Sequence, residues 1–173
     1  MIELRVEALC SSAFEAFGEV IEADDRRGAS FAINSGSSQR FHDLARLEPG
    51  DGGRLIVSIF RAQPRVLPLA IRALERHAKA SQAFMPLCGR PFLVVVAPAG
   101  EAVEASLIRA FLATSRQGVN FAPGVWHHPL IALDEQSDFL VIDRDNPSDN
   151  CEERMLSESL VVALPGSSSR SAR

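Results

Sequence analysis

Several features are scarce in this sequence, and each scarcity excludes a class of protein. The chain has no cluster of lysine or arginine, and 22 acidic side chains outnumber 18 basic ones. Nucleic acid is therefore not an expected partner, because binding to phosphate backbones requires a basic face. No apolar run approaches the ~20 residues of a membrane-spanning helix, and the amino-terminal residues alternate polar and apolar side chains, unlike a signal peptide. We therefore predict a cytoplasmic protein with no membrane partner.

Cysteine is also scarce. Cys10, Cys88 and Cys151 are widely spaced and odd in number. They match neither a disulfide framework nor the ligand spacing of a zinc site, so the sequence predicts three reduced thiols.

What the chain does contain is typical of one globular domain, which we place at residues 1–164. Short β-branched or aromatic runs bounded by turn residues recur at residues 55–60, 92–97, 107–112 and 139–142, and this repetition favours an antiparallel sandwich or barrel. Residues 12–15 have capping-box spacing and predict a short helix ending at Gly18. Residues 69–77 are compatible with a helix or a strand. Residues 134–138 predict a hairpin, and the polar tail 165–173 is predicted to be disordered.

The most informative run covers residues 118–129 and holds two of the four histidines beside the only tryptophan. A Pro123-Gly124 turn precedes Trp126, His127 and His128, so these residues begin a predicted strand. Adjacent strand residues point to opposite faces, and only one of the two imidazoles can face an interior. That histidine is suited to metal binding or proton transfer, although the run is also compatible with a core tryptophan and structural histidines.

A second run resembles the first metal motif of the cupin superfamily, in which two histidines one residue apart precede a glutamate and a glycine. Here the positions hold Glu75, His77, Gln82 and Gly89, and residues 123–127 resemble the second cupin motif, which supplies the last histidine. Glu75 and His77 share a face of a strand, and His127 could reach them from a facing strand. Glu75, His77, Gln82 and His127 are therefore possible ligands of a divalent metal. Because Glu75 replaces a histidine and Gln82 a glutamate, a metal-free polar pocket is the competing interpretation.

Three further clusters offer charged or titratable groups. Arg40 and His42 share a face if their run is extended, which would join an anion clamp to a proton-transfer group. Arg61 follows an apolar strand and could bind a carboxylate. Asp143 could orient a histidine or form an ion pair with a neighbour. Each of these groups could equally be a solvated surface residue.

Taken together, these runs resemble the ureidoglycolate lyase family. The resemblance extends to about Cys151 and rests on residues 40–44, 58–64, 74–77, 82–86, 118–121, 125–129, 142–145 and 148–151. One departure is the segment Asp145-Asn146-Pro147, where the family commonly has glycines after the Asp-Arg pair. The resemblance implies a mainly β, cupin-like antiparallel barrel (a double-stranded β-helix or jelly roll) with a short amino-terminal helix, in a homodimer. It also implies cleavage of (S)-ureidoglycolate to glyoxylate and urea in allantoin and purine breakdown, with a divalent ion such as nickel as an optional cofactor.

This reaction needs a base, an acid and a carboxylate clamp. We predict proton transfer by His127 and His42, with Asp143 setting a histidine tautomer. Arg61 and Arg40 are the predicted clamp, and Trp126, Gln82, Glu75 and His77 are further substrate contacts. Two alternatives are a metal-dependent cupin enzyme of another reaction class, such as a dioxygenase or isomerase, and a non-catalytic cupin that binds a small carboxylate.

Overall fold

The computed structural model describes residues 2–25, 30–145 and 150–164. The predicted disordered tail, and residues 146–149 of the segments singled out above, lie outside the described residues. Within those ranges the chain forms fifteen strands, one α-helix and two 3-10 helices. The strands are β1 (Ile2–Leu4), β2 (Val6–Ala8), β3 (Gly18–Ile21), β4 (Ser30–Ile33), β5 (Ser38–Phe41), β6 (Leu55–Ala62), β7 (Leu69–His77), β8 (Gln82–Pro86), β9 (Phe92–Ala97), β10 (Arg109–Ala113), β11 (Gly118–Phe121), β12 (Trp126–His127), β13 (Ile131–Ala132), β14 (Ser137–Arg144) and β15 (Cys151–Val162). The helices are α1 (Ser11–Phe14) and the 3-10 helices Asn34–Gly36 and Ala105–Leu107.

Two sheets build the barrel. An eight-stranded sheet has the order β1-β15-β7-β12-β9-β10-β2, with β13 paired to β9, and a five-stranded sheet has the order β3-β11-β8-β14-β6. Buried side chains of both sheets, such as Val96 and Phe111 from the first and Phe84 and Val141 from the second, form one apolar core between them. The predicted mainly β, cupin-like barrel is confirmed. A separate two-stranded sheet pairs β4 with β5.

Strand β9 shows why a continuous apolar run can be a strand here. All six of its residues are buried, because both of its faces are covered. Phe92, Val94 and Val96 belong to the core between the sheets. Leu93 and Val95 belong to a second apolar cluster on the other side of the eight-stranded sheet. A strand that is covered on both sides has no need of polar alternation.

The amino-terminal helix is shorter than predicted and begins differently. Helix α1 covers Ser11–Phe14, its N-cap is Cys10, and no side chain makes a capping hydrogen bond, so the predicted capping box from Ser12 is wrong. Gly18 has a φ of +132°, and a Cβ there would lie 1.9 Å from the Asn120 carbonyl oxygen. The glycine therefore permits close approach of β3 to β11. Nowhere in the described ranges does a helix combine the length and the apolar character needed to cross a bilayer.

The structure shows the conformation of two segments that the sequence had singled out. Residues 69–77, which suited a helix or a strand, form strand β7. The predicted hairpin through residues 134–138 is wrong, because β13 pairs with β9 whereas β14 pairs with β6 and β8. The segment therefore carries the chain from one sheet to the other.

A long loop before β6 closes one end of the five-stranded sheet. Arg144, which is buried, donates to the carbonyl oxygens of Pro49 (2.6 Å) and Asp51 (3.3 Å). Ser81 holds the same loop from the other side, since the Glu48 amide donates to Ser81 Oγ at 2.7 Å and the Ser81 amide donates to the Glu48 carbonyl at 2.9 Å. Ser81 directly precedes Gln82, so the loop is fixed next to one of the candidate site residues.

Candidate active site

Residues 78–81 carry the chain from one sheet to the other at one end of the barrel. His77 ends β7 in the eight-stranded sheet, and Gln82 begins β8 in the five-stranded sheet. The chain thus crosses between sheets in residues 78–81. This short crossing places the predicted motif residues on both walls of the same end of the core.

Glu75, His77 and His127 form a compact cluster. Strand β12 pairs with β7 so that His127 lies opposite Glu75, and the distance from His127 Nε2 to Glu75 Oε1 is 3.5 Å. The His77 and His127 ring centroids are 5.3 Å apart. The predicted common face of Glu75 and His77 is therefore observed. His127, however, reaches the cluster from the neighbouring strand of the same sheet and not from a facing strand.

The orientation of His127 is fixed on two sides. Its Nδ1 lies 3.1 Å from the Val125 carbonyl oxygen, and Phe121 stacks on the ring with centroids 4.3 Å apart and planes 14° from parallel. Because a carbonyl oxygen only accepts, Nδ1 carries the proton in the neutral ring, and the lone pair of Nε2 points towards Glu75. The imidazole is 1% exposed, so it is held in one tautomer and one position.

The five-stranded sheet adds an amide and a carboxylate. Gln82 Nε2 donates to Asp143 Oδ2 at 3.3 Å, and the two side chains come from the adjacent strands β8 and β14. Asp143 was predicted to set a histidine tautomer. Its hydrogen bond goes to Gln82 instead, and the tautomer of His127 is set by the Val125 carbonyl.

Burial and neighbouring charges determine protonation in the cluster. Burial raises the pKa of Glu75, but the contact with His127 in its protonated form, followed by the charges that His77 and His128 carry when protonated, outweighs this effect and leaves the pKa below its ordinary value. Burial lowers the pKa of His77, and repulsion from His127 lowers it further, against the attraction of Glu75. At neutral pH the cluster therefore contains an ionised carboxylate beside an uncharged His77.

Several buried polar atoms of the cluster have no hydrogen-bond partner. They are His77 Nε2, His127 Nε2, Gln82 Oε1 and Asp143 Oδ1. Unpaired buried polar atoms are costly, and their convergence indicates a site built for a ligand. The ligating atoms of Glu75, His77 and His127 lie within 4.8 Å of one another. Two imidazoles and a carboxylate fit a divalent transition metal, and the backbone contact of His127 is the kind of outer contact that orients a metal-binding imidazole.

A cavity of about 440 Å³ adjoins this cluster. Glu75 lines the cavity and also contacts His127, so it connects the two. The other polar lining residues are Arg65, Arg72, His128 and Glu153. A small polar molecule in this cavity could contact the cluster through Glu75.

The structure does not bring Arg61 to this cavity. Arg61 lies on β6, where its Nε and Nη2 atoms each donate to Asp138 at 2.8 Å. The registered pairs Val57–Ile142, Ile59–Leu140 and Arg61–Asp138 alternate with the buried Val141 and Phe139, so they occupy the outer face of the five-stranded sheet. The predicted substrate clamp is thus an outward-facing ion pair in the folded chain.

Three other predicted residues also lie apart from the cluster. Arg40 is exposed near the Phe31 ring, at 6.0 Å, and His42 is exposed with its ring 5.8 Å from Phe31. Trp126 is fully buried in the second apolar cluster. Its Nε1 donates to the Gly100 carbonyl at 2.9 Å, and Arg76 lies over its ring at 4.8 Å. Trp126 is therefore a core residue on the strand face opposite to His127.

Sequence reasoning missed Phe121, Arg65, Arg72 and His128 as neighbours of the site. Phe121 lies in the run that had already attracted attention, and its register with Gln82 follows only from the strand pairing. His128 was expected to face away from His127. Since β12 ends at His127, the strict alternation of a strand no longer applies to the next residue. The arginines had no motif to mark them.

The fold and the cluster together define a cupin-like protein with a histidine and carboxylate site at one end of the barrel. Comparison with known proteins narrows this class. The family model for ureidoglycolate lyase matches residues 1–163. A Burkholderia mallei protein named ureidoglycolate lyase is 53% identical over 161 residues, covering 92% of this chain and 93% of the relative. Proteins of the same name from Pseudomonas savastanoi and Pseudomonas putida are 48% and 47% identical, covering 95% of this chain and 96% and 98% of each relative. The chain belongs to the ureidoglycolate lyase family.

Proposed function

We propose that this chain is a carbon–nitrogen lyase that cleaves ureidoglycolate to glyoxylate and urea, a step in the breakdown of allantoin and purines. The observation that carries the proposal is the cluster of Glu75, His77 and His127 beside a cavity, in a chain whose relatives are named for this activity.

The reaction requires little more than controlled movement of one proton. The central carbon of ureidoglycolate bears a hydroxyl, a ureido nitrogen and a carboxylate. Loss of the hydroxyl proton lets the C–O bond become a carbonyl while the C–N bond breaks, and the departing nitrogen takes up a proton to give urea. A single positioned group can accept the first proton and return it to the nitrogen.

His127 is suited to that role. Its Nε2 is unprotonated in the neutral ring, buried and without a hydrogen-bond partner, so it can accept the hydroxyl proton. Glu75, ionised and 3.5 Å away, stabilises the imidazolium that forms. Gln82 Oε1 and Asp143 Oδ1, both without a partner, can accept hydrogen bonds from the ureido N–H groups. These contacts hold the leaving group beside the proton donor.

A divalent ion is the optional cofactor, and nickel is the proposed example. Glu75, His77 and His127 would hold it, and it would supply Lewis-acid polarisation of the substrate hydroxyl when bound. The donor set and the convergent free lone pairs support such a site.

The experiment that tests the function follows glyoxylate release from (S)-ureidoglycolate by purified protein. Parallel samples are pretreated with chelator, or with chelator followed by excess nickel. Glyoxylate and urea appearing in equal amounts is the expected result. Binding of ureidoglycolate without product in all three samples would instead favour a non-catalytic carboxylate-binding protein.

We further propose that the protein is a homodimer joined through the outer face of its five-stranded sheet. Val57 and Ile59 are 68% and 55% exposed there, and Leu140 and Ile142 lie opposite them on β14. An apolar strip of this kind on a folded domain is typical of an interface. A second copy is the partner that the family resemblance implies.

A cytoplasmic location is also proposed. The three cysteines are free thiols in the structure, which suits a reducing compartment. Cell fractionation with an antibody against the protein tests this proposal.

A further inference from the structure

Two arginines line the cavity that adjoins the cluster. Arg65 follows β6 in the chain, whereas Arg72 lies within β7, on the same strand as Glu75. Both side chains are exposed to the cavity or to solvent. Two guanidinium groups from separate segments therefore border one space, with the Glu75 carboxylate in its wall.

Six arginines of the described residues pair with carboxylates, whereas Arg65 and Arg72 have no acidic partner. Within the part of the chain that the structure describes, neither Arg65 nor Arg72 forms an ion pair or a side-chain hydrogen bond. Other arginines are matched with carboxylates, in the pairs Arg46–Glu48, Arg54–Asp145, Arg61–Asp138, Arg76–Glu152, Arg90–Glu135 and Arg109–Glu7. The cavity wall also carries Glu75 and Glu153, but neither carboxylate forms an ion pair with these two arginines, so both guanidinium groups are available to bind an anion.

Arg65 also acts on His128, which lines the same cavity. Burial lowers the pKa of His128, and the charge of Arg65 adds to that lowering. Arg65 is therefore close enough to act on His128. Glu75, which acts on His128 in the opposite sense, also contacts His127. An anion held by the arginines would thus share the cavity with Glu75, which contacts His127 of the cluster.

We propose that Arg65 and Arg72 form the carboxylate-binding side of the substrate cavity, so that ureidoglycolate lies between them and the cluster of Glu75, His77 and His127. This inference rests on the proposed function, because that function identifies the substrate as a small carboxylate. Guanidinium groups suit the task, since they bind carboxylates through paired N–H donors. The arrangement places the carboxylate at one end and the hydroxyl and ureido groups at the cluster.

The first test compares the kinetics of Arg65→Gln, Arg72→Gln and the double variant with those of the wild-type protein. Each single substitution is expected to raise KM about tenfold or more, because it removes a charge-assisted hydrogen bond to the substrate. The value of kcat should change much less, since neither arginine transfers the proton. Arg116→Gln is the matched control, because Arg116 is exposed in the turn between β10 and β11, and it should retain the wild-type KM.

A second comparison isolates the carboxylate itself. The primary amide of ureidoglycolate lacks the charge and should bind the wild-type protein more weakly than the acid. That preference should be lost in the double variant. An unchanged KM for the acid in the double variant, or an undiminished preference for the acid over the amide, would overturn the inference.

A binding measurement separates this inference from the proposed function. Calorimetry with glycolate, a carboxylate with a neighbouring hydroxyl, is expected to show binding to the wild-type protein and at least tenfold weaker binding to the double variant. If the wild-type protein released no glyoxylate, the proposed function would fail while this measurement still decided the role of the arginines. Equal glycolate affinity in the wild type and double variant would refute that role. Thermal unfolding of each variant checks that the fold is retained.

Discussion

At the scale of single residues, His127 illustrates how a fold positions one reactive group. Its position in β12 pairs it with Glu75, and the Val125 carbonyl fixes its tautomer. Phe121 covers one face of the ring and excludes water there. The residue type and its neighbouring Pro-Gly turn could be read from the sequence. The stacking and the tautomer required the register between strands.

Replacing His127 with Ala should lower kcat by at least ~10²-fold, since a general acid or base contributes ~10²–10⁴-fold. The measurement is steady-state turnover of ureidoglycolate. His127→Gln, which retains a polar side chain that cannot act as a base, should be comparably inactive. A thermal unfolding curve for each variant separates loss of chemistry from loss of fold. Turnover within a few fold of the wild type in His127→Ala would remove the residue from the mechanism.

The pH dependence of activity provides a second prediction at this scale. Burial and repulsion from His127 lower the pKa of His77 below the ordinary histidine value of 6.5, so His77 stays uncharged until the pH falls below that value. His77 lies beside the proposed base His127, and a positive charge on His77 would oppose proton uptake by His127, so protonation of His77 should contribute a fall in kcat/KM with its midpoint below pH 6.5. The profile is measured in constant-ionic-strength buffers. A midpoint above pH 7 would show that a different, more basic group controls the reaction.

At the scale of elements, the strand pattern was predictable and the sheet partners were not. The apolar runs at 92–97 and 139–142 were identified as strands because their residue types suit a pleated, buried surface. The segment through 134–138 looked like a hairpin because two strands flank a short polar turn. It links different sheets instead, because tertiary packing and not local turn chemistry determines where Ile131 pairs. Arg61 shows the same limit: its strand was predictable, but the face it occupies depends on pairing with β14.

The loop that closes the end of the five-stranded sheet depends on one buried side chain. Arg144→Met should destabilise the protein by about 1.5–3 kcal/mol, because it removes charge-assisted hydrogen bonds to Pro49 and Asp51 and leaves their carbonyl groups without this partner. Urea-induced unfolding measures the change in the free energy of unfolding. Arg116→Met removes an exposed arginine and serves as the control, with an expected change within about 0.5 kcal/mol. Equal effects of the two substitutions would show that the loop does not rely on Arg144.

At the scale of the whole molecule, the two faces of the five-stranded sheet have different roles. The inner face contributes Phe84, Val141 and the site residues Gln82 and Asp143, whereas the outer face carries the exposed strip of Val57 and Ile59. The site and the proposed dimer interface thus share strand β14. The family resemblance predicted a dimer without indicating the surface, because sequence alternation alone does not distinguish the inner face of an edge strand from the outer.

Substitution of Ile59 by Asp should convert the proposed dimer to a monomer, because it would bury a carboxylate at the centre of an apolar interface. Size-exclusion chromatography with light scattering measures the mass. Leu107→Asp is the control, since Leu107 is 46% exposed in a 3-10 helix outside this sheet, and it should leave the mass unchanged. A dimer that persists in Ile59→Asp at low protein concentration would place the interface elsewhere.

The pH dependence of the free energy of unfolding tests the protonation states of the titratable residues at the site. The pKa values of His77 and His128 are both lower in the folded chain than the ordinary histidine value of 6.5. As the pH falls through 6.5, the unfolded chain binds more protons than the folded one, so the free energy of unfolding must decrease. The lowered pKa of Glu75 acts in the same sense at still lower pH, since its ionised form stabilises the fold and is lost on protonation.

Urea unfolding at about pH 7.5 and about pH 5.5 should therefore show lower stability at the acidic pH, and His77→Asn should reduce the difference. If His77→Asn shows the same pH dependence as the wild type, His77 does not remain uncharged in the folded protein. The protonation state proposed for the cluster would then be wrong.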